Sequence, residues 1–326
     1  MHDQRVKSGD TPMPNTMTET LTPTPQGIAR AAHLLQDGAL VALPTETVYG
    51  LGADARNGEA VAGIYAAKGR PSFNPLIVHL PDVETAKRYV EWTEQADRLA
   101  QAFWPGALTL VLPLKPDSGL SSLVTAGLPS LAVRVPAHPV MRQVLQALDG
   151  PVAAPSANPS GKISATTAAH VMAGLAGKIA AVMDDGACAV GVESTIVGLT
   201  GPRPALLRAG GVPGEALEAT LGRELDVVDG AEIIAPGQLA SHYAPGAAVR
   251  LNVGQATEGE VLLGFGQMDC DLNLSSSGDL TEAAANLFDH LHRLDATGQP
   301  IAVATIPDHG LGRAINDRLT RAAAPR

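Results

Sequence analysis

The sequence is poor in cysteine, in aromatic residues and in long apolar runs. Its two cysteines, Cys188 and Cys270, are too few for a disulfide framework or a Cys-rich zinc site. Aromatic residues make up 3% of the chain, fewer than a base-stacking surface for single-stranded nucleic acid needs. No apolar run approaches the roughly 20 residues of a membrane helix. The N-terminus lacks the basic-then-apolar pattern of a secretion signal, so we expect a cytoplasmic protein without a membrane partner.

The chain also lacks an excess of positive charge. It has 23 Lys plus Arg against 33 Asp plus Glu, a net charge of −10. Residues 23–212 hold 14 basic and 14 acidic side chains, so the remaining positions hold the whole excess, 9 basic against 19 acidic. Because affinity for nucleic acid depends on clustered Lys and Arg, this distribution argues against a globally basic nucleic-acid binder. It leaves room for a local anion pocket in the neutral block.

The rest of the composition is that of a globular protein. Hydrophobic residues make up 45% of the 326 residues, enough for one large domain or two ordinary ones. Residues 1–22 are polar and rich in Thr and Pro, which predicts a disordered tail. Residues 229–247 contain two prolines and no periodic pattern, which is typical of a linker.

Two blocks combine short apolar runs with helical patterns. Irregularly spaced runs, apolar throughout, predict a mixed sheet covered on both faces in an α/β domain over 23–228. Three strands joined by crossovers predict a small parallel α/β domain over 248–326. The predicted strands are 39–43, 76–80, 108–112, 131–135, 152–154, 179–183, 195–199, 205–207, 247–252, 261–265 and 301–305. The predicted helices are 28–35, 59–68, 83–103, 139–148, 165–175, 279–296 and 310–323.

Two nucleotide-binding patterns occur in incomplete form. Residues 50–55 (GLGADA) fit the G-x-G-x-x-A dinucleotide fingerprint, but the preceding strand ends near Leu43 instead of directly before the first glycine. Residues 156–162 (SANPSGK) resemble the end of a P-loop, but lack its first glycine and the hydroxyl residue after the lysine. We expect neither to act in the usual way, although a polar loop after a buried strand often contacts ligands. His290 and His292 are expected at the surface, on different faces of one helix.

The most informative stretches are residues 43–54 and 68–76. The second places Lys68 and Arg70 where a helix ends and Asn74 before a buried strand. Two cations and an amide suit a polyphosphate. The alternative is that Lys68 and Arg70 only complement the negative end of the helix, and charge alone does not decide between the two.

These stretches belong to a longer series of motifs. From about residue 25 to the C-terminus, the chain resembles the long, two-domain form of the YrdC-like family, the threonylcarbamoyl-AMP synthases. The pairing of Lys68-x-Arg70 with Ser156-x-Asn158 is a signature of that family. The matching motifs, in order, are PTETVYGLGAD (44–54), KGRPSFNPLIVHL (68–80), WPGALTLVL (104–112), LAVRVPAHP (131–139), APSANPSGKIS (154–164), GVESTIV (191–197), LLRAGG (206–211), HYAP (242–245) and SSSGDLTEAAANLFDHLHRLD (275–295).

The resemblance implies a fold and a reaction. The fold is a mixed, twisted YrdC-like sheet with helices, followed by a small Rossmann-like parallel α/β domain. The amine of L-threonine captures CO2 or bicarbonate, and the resulting carbamate attacks the α-phosphorus of ATP and expels pyrophosphate. Mg²⁺ is expected with the ATP, without a dedicated protein metal site. The product passes to a separate transferase that modifies the tRNA adenosine next to the anticodon, and weak binding of double-stranded RNA or tRNA is a further expectation.

The resemblance also implies roles for individual residues. Lys68 and Arg70 would be catalytic. His242 and Tyr243, in the linker, would fold over the active site. Threonine would be held by Thr47, His79, Arg134, Ala154 and Ser194. ATP would be held by Arg70, Asn74, Ser130, Ser156, Asn158, Ser164 and Arg208.

Some of these residues also have an ordinary structural explanation, and the chain differs from the family pattern at some positions. The role of Thr47 could be limited to a hydrogen bond within its own turn. His79 is a lone histidine in an apolar strand, and such a histidine is often a core residue. The family often has Thr where this chain has Ser130. The linker reads PGQLASHYAP (236–245), without the lysine that is frequent there and that would supply a cationic phosphate contact. Two other functions compete with this one. An RNA-binding module is disfavoured by the lack of excess positive charge, and a dinucleotide-dependent enzyme is disfavoured because the strand before Gly50 ends near Leu43.

Overall fold

The computed structural model describes residues 17–227 and 242–325. These residues form two sheets, one of 11 strands and one of 4. The first sheet comprises β1 (Glu19–Leu21), β2 (Val41–Leu43), β3 (Gly50–Asp54), β4 (Ile77–His79), β5 (Leu108–Pro113), β6 (Ser130–Arg134), β7 (Val152–Ala153), β8 (Ala181–Met183), β9 (Thr195–Gly198), β10 (Ala205–Arg208) and β11 (Asp226–Val227). Its helices are α1 (Pro25–Gln36), α2 (Gly58–Lys68), α3 (Val83–Tyr89), α4 (Glu94–Phe103), α5 (Ser122–Thr125), α6 (Pro139–Leu148), α7 (Ala168–Leu175) and α8 (Gly214–Leu221).

The order of the strands makes the first sheet mixed. It runs β1-β8-β2-β3-β7-β4-β6-β5-β9-β10-β11. β4 and β6 are parallel, whereas β5 and β6 are antiparallel. All eight strands predicted in this block are present, because their continuous apolar runs are covered on both faces. The predicted α/β class with a mixed sheet is therefore confirmed.

One strand of this sheet, β3, was not predicted because it contains two glycines. Residues 50–54, which are not among the predicted strands, form β3, which pairs antiparallel with β2. A Cβ on Gly52 would lie 3.0 Å from Val152 Cγ1 and 3.1 Å from the Val41 carbonyl oxygen. The glycines therefore permit close packing between strands, and the partial dinucleotide fingerprint lies within a strand. The helix predicted over 83–103 is also divided, into α3 and α4.

The N-terminal segment is ordered in part, so the prediction of a disordered tail over residues 1–22 is wrong for residues 19–21. Residues 19–21, predicted as part of a disordered tail over 1–22, form β1, which pairs with β8. Leu21 is buried, and the Thr18 hydroxyl donates to the Ile179 carbonyl at 2.8 Å. Partners far along the chain order this short segment, and local composition does not reveal them. Residues 1–16 lie outside the described ranges.

The second sheet is parallel throughout. It contains β12 (Val249–Val253), β13 (Val261–Gly264), β14 (Leu272–Asn273) and β15 (Ile301–Ala304), in the order β12-β15-β13-β14. Helices α9 (Leu280–Asp295) and α10 (Gly312–Ala323) accompany it. This agrees with the predicted small parallel unit, apart from the two-residue β14, which is too short for a periodic signal.

The hydrophobic core around the second sheet also contains side chains from turns and loops of the first part of the chain. The cluster around the second sheet includes the buried side chains of Val48, Ile163 and Val192 from the first part of the chain. Of the predicted linker over 229–247, residues 229–241 lie outside the described ranges, and His242 and Tyr243 are both buried. His290, expected at the surface, is also buried, and His292 stacks on His170 with ring centroids 3.9 Å apart. Within the described residues, no helix is long and apolar enough to cross a membrane.

Candidate active site

A cavity lies on one face of the first sheet, where several strands end. β4 and β6 contribute their last residues, His79 and Arg134, which are register partners. The turn between β2 and β3, the loop after β7 and the residue before β9 complete the walls. Of the predicted site residues, the cavity brings together Thr47, Arg70, His79, Arg134, Ala154, Ser156, Ser194, Arg208, His242 and Tyr243.

Arg134 is fixed by three hydrogen bonds. Its Nη1 donates to Thr47 Oγ1 at 2.9 Å, Nη2 to Glu46 Oε1 at 2.6 Å, and Nε to the Gly106 carbonyl at 3.1 Å. The Thr45 hydroxyl orders the turn below by donating to the Val48 carbonyl at 2.6 Å. A guanidinium has five N–H groups, so this anchored side chain keeps donors for a ligand carboxylate.

His79 lies beside Arg134 as a neutral imidazole. Burial, followed by the charge of Arg134, lowers the pKa of His79 to about 3. Its Nδ1 is buried and has no hydrogen-bond partner among the described residues. Buried polar atoms normally have partners, so this nitrogen is suited to contact a ligand.

Ser194 lies between Thr109 and Arg208 in the cavity wall. Its hydroxyl lies 2.7 Å from Thr109 Oγ1, and either oxygen can donate. Arg208 Nη2 donates to the Ser194 carbonyl at 2.8 Å and to Ser194 Oγ at 3.2 Å. The hydroxyl is therefore held between β5 and the strand end that carries Arg208.

Two cations lie at the end of α2: Arg70 lines the cavity, and Lys68 is buried behind it. Arg70 donates from Nη2 to the Pro75 carbonyl at 3.0 Å and from Nε to the Asn74 carbonyl at 3.3 Å. Lys68 Nζ donates to the carbonyl oxygens of Ser156 and Asn158, and so orders the loop after β7. Burial and the charge of Arg70 lower the pKa of Lys68, and burial lowers the pKa of Arg70 to about 10. An anionic ligand would favour the charged forms of both.

Four predicted residues are buried just behind the cavity instead of lining it: Lys68, Asn74, Asn158 and Ser164. Both side-chain polar atoms of Asn74 and the Oδ1 of Asn158 have no partner in the described residues. Ser164 Oγ donates to Glu193 Oε1 at 2.5 Å.

Ser130 lies at the other end of the same face. Residues alternate along β6, so Ser130, Ala132 and Arg134 share one side of the sheet, and four residues of strand span roughly 13 Å. Ser130 lines a second cavity of about 460 Å³. An apolar cluster on this side contains Ile77, Val111, Ala132, Ile196 and Leu207.

Three charged residues were missed by sequence analysis. Glu46 pairs with Arg134, and Glu193, which lines the cavity, pairs with Arg318 Nε at 2.8 Å. The PTET and GVEST motifs contain the two carboxylates, but only the folded chain supplies their partners. Five cationic side chains are buried in the described part of the chain: Lys68, Arg70, Arg134, Arg208 and Arg318.

The donor set around the cavity consists of cations and hydroxyls. Among residues 17–227 and 242–325, no three His, Cys, Asp or Glu side chains are placed so that they could hold a metal ion. The arrangement can bind an amino acid through its carboxylate and hydroxyl beside an anion held by arginines.

Two family models match the chain. The model Sua5_yciO_yrdC, described as telomere recombination, matches residues 33–210. The model described as the threonylcarbamoyl-AMP synthase C-terminal domain matches residues 212–324. The motif-based resemblance is therefore confirmed for both parts of the chain.

Individual proteins agree with the family models. Threonylcarbamoyl-AMP synthase of Bacillus subtilis is 40% identical over 95% of this chain and 96% of its own length. The enzyme of Pyrococcus abyssi is also 40% identical, over 91% of this chain and 94% of that protein. The crystal structure of P. abyssi Sua5 complexed with L-threonine superimposes with a TM-score of 0.86 at 38% identity, covering 94% of this chain and 98% of the other. This chain therefore belongs to the threonylcarbamoyl-AMP synthases, in the form that carries a second domain after the YrdC-like one.

Proposed function

We propose that the protein condenses L-threonine, CO2 or bicarbonate, and ATP to threonylcarbamoyl-AMP and pyrophosphate. The observation that carries this proposal is the juxtaposition of two unlike half-sites in one cavity. Arg134, Thr47 and His79 form an amino-acid half, and Arg70 and Arg208 form a cationic half. Ser194 is held between them by its contacts to Thr109 and Arg208.

In the amino-acid half, the remaining N–H groups of Arg134 would bind the threonine carboxylate. Thr47 and Ser194 provide hydroxyls that can pair with the threonine hydroxyl. A site with such partners rejects valine, because valine would leave them unpaired in a buried place. The small side chain of Ala154 leaves room at the wall formed after β7.

The chemistry needs positioning more than covalent assistance. The threonine nitrogen bonds to the carbon of CO2 and releases a proton to solvent or bicarbonate. A carbamate oxygen then bonds to the α-phosphorus while the bond from that phosphorus to the bridging oxygen breaks, and pyrophosphate leaves with the electron pair. Arg70, Arg208 and Lys68 would hold the phosphates and stabilise the charge that develops.

Ser130 extends the nucleotide site along the sheet. The roughly 13 Å between the two ends of β6 suits a nucleotide lying along this face, with its base over the apolar cluster and its phosphates toward Arg70 and Arg208. Asn74, Asn158 and Ser164 lie behind the arginines, and would reach ATP after a small movement or act by supporting those that do.

Mg²⁺ would enter bound to the phosphates of ATP. Phosphate oxygens are the hard ligands that Mg²⁺ prefers, and it commonly retains water molecules for the rest of its shell. The hydroxyl-rich walls provide Ser156 and Ser194 as neutral neighbours for such a hydrated ion. When bound, the ion would neutralise phosphate charge.

The product would pass to a separate tRNA threonylcarbamoyl transferase in the cytoplasm, since it is an activated and labile adenylate. The acidic excess outside residues 23–212 supports transfer of a small molecule over tight capture of tRNA by this chain. Weak binding of tRNA or double-stranded RNA stays a prediction.

The deciding experiment follows pyrophosphate release with ATP, L-threonine and bicarbonate. We expect release that depends on threonine, and its loss in Arg70→Ala, while Arg88→Ala, at an exposed position on α3, retains it. Absence of threonine-dependent release from the wild-type protein refutes the proposal. Full activity in Arg70→Ala shows that the phosphate site is misplaced.

A further inference from the structure

One side chain of the C-terminal domain, Arg318, contacts residues that line the candidate active site. Arg318, on α10, is fully buried. Its Nε donates to Glu193 Oε2 at 2.8 Å, and its Nη1 donates to the Ala209 carbonyl at 2.8 Å. Its guanidinium carbon lies 5.3 Å from the centre of the Tyr243 ring, within the range of a cation–π contact. Arg318 thus contacts the loop before β9, the residue after Arg208, and Tyr243, which lines the cavity.

Glu193 connects Arg318 with two predicted substrate-binding residues, Ser164 and Ser194. Its other oxygen, Oε1, accepts a hydrogen bond from Ser164 Oγ at 2.5 Å. The next residue along the chain is Ser194, whose carbonyl and hydroxyl accept from Arg208. The position of one carboxylate therefore affects a predicted ATP contact, Ser164, and a predicted threonine contact, Ser194.

The packing of the loop is a second, independent observation. Gly191 has a φ of +76°, and a Cβ there would lie 2.3 Å from the Ala284 carbonyl oxygen of α9. Val192 is fully buried in the hydrophobic cluster of the C-terminal domain. The loop over residues 191–194 is thus held against the C-terminal domain by backbone contact and by apolar packing, as well as by the ion pair.

The charge of Glu193 depends on the same partner. Burial by itself would raise the pKa of this carboxyl, but Arg318 and Arg208 outweigh burial and lower it. Lys68, His242 and Tyr243 also face the carboxyl, and Asp317 Oδ2 is a second carboxylate oxygen on Arg318, at 2.7 Å from its Nη1. Removing one member of a buried ion pair typically leaves the other charge unpaired and unfavourable. Without Arg318, we expect the Glu193 carboxyl to take up a proton more readily.

We propose that Arg318 is a positioning residue which the C-terminal domain contributes to the active site. It holds the Glu193 carboxylate, so that Ser194 faces the cavity and Ser164 is fixed behind it, and it holds Tyr243 in the cavity wall. This inference rests on the proposed function and assigns the C-terminal domain a part in it.

The test uses the full-length chain and three variants. Arg318→Met removes the charge and retains bulk, and Arg318→Lys retains the charge without the planar fork. Arg313→Met is the matched control: Arg313 lies on the same helix and pairs across the same boundary with Glu215 at 3.4 Å, but it is about half exposed. We expect Arg318→Met to raise the KM for threonine at least about tenfold, Arg318→Lys to give an intermediate value, and Arg313→Met to match the wild type.

A pH profile separates positioning from a general loss of structure. In Arg318→Met, the KM for threonine should rise as the pH falls, because Glu193 becomes protonated. The double variant Arg318→Met/Glu193→Gln should lose that dependence. If Arg318→Met does not fold, Glu193→Gln breaks the same pair from the other side and should also raise the KM.

The outcomes distinguish this inference from the proposed function. A folded Arg318→Met with a wild-type KM and pH profile, in a preparation whose wild-type protein is active, overturns the positioning role alone. If Arg318→Met is unfolded, Glu193→Gln with a wild-type KM has the same consequence. A wild-type protein without threonine-dependent pyrophosphate release overturns the proposed function and this inference together.

Discussion

Replacing Arg134 with lysine tests the amino-acid half of the site. The guanidinium of Arg134 is anchored to Glu46, Thr47 and the Gly106 carbonyl and still has donors to spare. A lysine keeps the charge, but its single nitrogen has three donors and cannot span the same partners. The substitution should therefore weaken binding of the threonine carboxylate without removing the positive charge.

The expected size follows from the bonds that are lost. A hydrogen bond to a charged group contributes about 1.5–3 kcal/mol. Losing one such bond to the carboxylate raises the KM for threonine about 10- to 150-fold. The effect should fall on threonine, since Arg134 is in the amino-acid half, so the KM for ATP should change little.

The assay is initial-rate pyrophosphate release at varied threonine and then at varied ATP. Arg88→Lys, at an exposed position on α3, is the control for the chemical change itself. A folded Arg134→Lys protein with an unchanged threonine KM would refute the assignment. An increase in the KM for ATP of the same size would show that Arg134 belongs to the phosphate half.

Two further predictions concern pH. Burial and the charge of Arg70 lower the pKa of Lys68 below the ordinary lysine value of 10.5, so the KM for ATP should rise with pH as the ammonium loses its proton. A KM for ATP that stays constant up to that ordinary value contradicts this. Burial and the charge of Arg134 lower the pKa of His79 from 6.5 to about 3. The contribution of the neutral imidazole to the free energy of unfolding is therefore complete well above pH 6.5 and is lost as the pH falls toward 3. The loss from this group is about 1.4 kcal/mol at pH 5.5, measurable by urea unfolding, and His79→Gln should remove that share of the pH dependence.

Much of the fold could be predicted because continuous apolar runs mark strands that are buried on both faces. The strand β3 was missed because Gly50 and Gly52 resemble turn residues, and the close packing that requires glycine there is visible only between strands. The short β1 was missed because its order depends on β8, far along the chain.

In the candidate site, too, residues within sequence motifs could be predicted, whereas residues whose partners lie far along the chain could not. Motif resemblance named Thr47, Arg134 and Ser194, and these side chains meet in one cavity. It did not indicate Glu46 or Glu193 as their supports, because a carboxylate in a motif is ordinary until its partner is known. Arg318 lies in a different domain, so no local pattern connects it with the site.

The pairing of β1 with β8 has a consequence for how the chain is made. Glu19 is paired with Ala181, 162 positions later (181 − 19). At a synthesis rate of about 5–20 residues per second, β1 waits roughly 8–30 s before its partner strand has been made. Contacts between such distant segments also form slowly, because a long loop must be closed first. The edge of the large sheet is therefore completed late, and until then the apolar edge of β2 that β8 will cover is open to other chains.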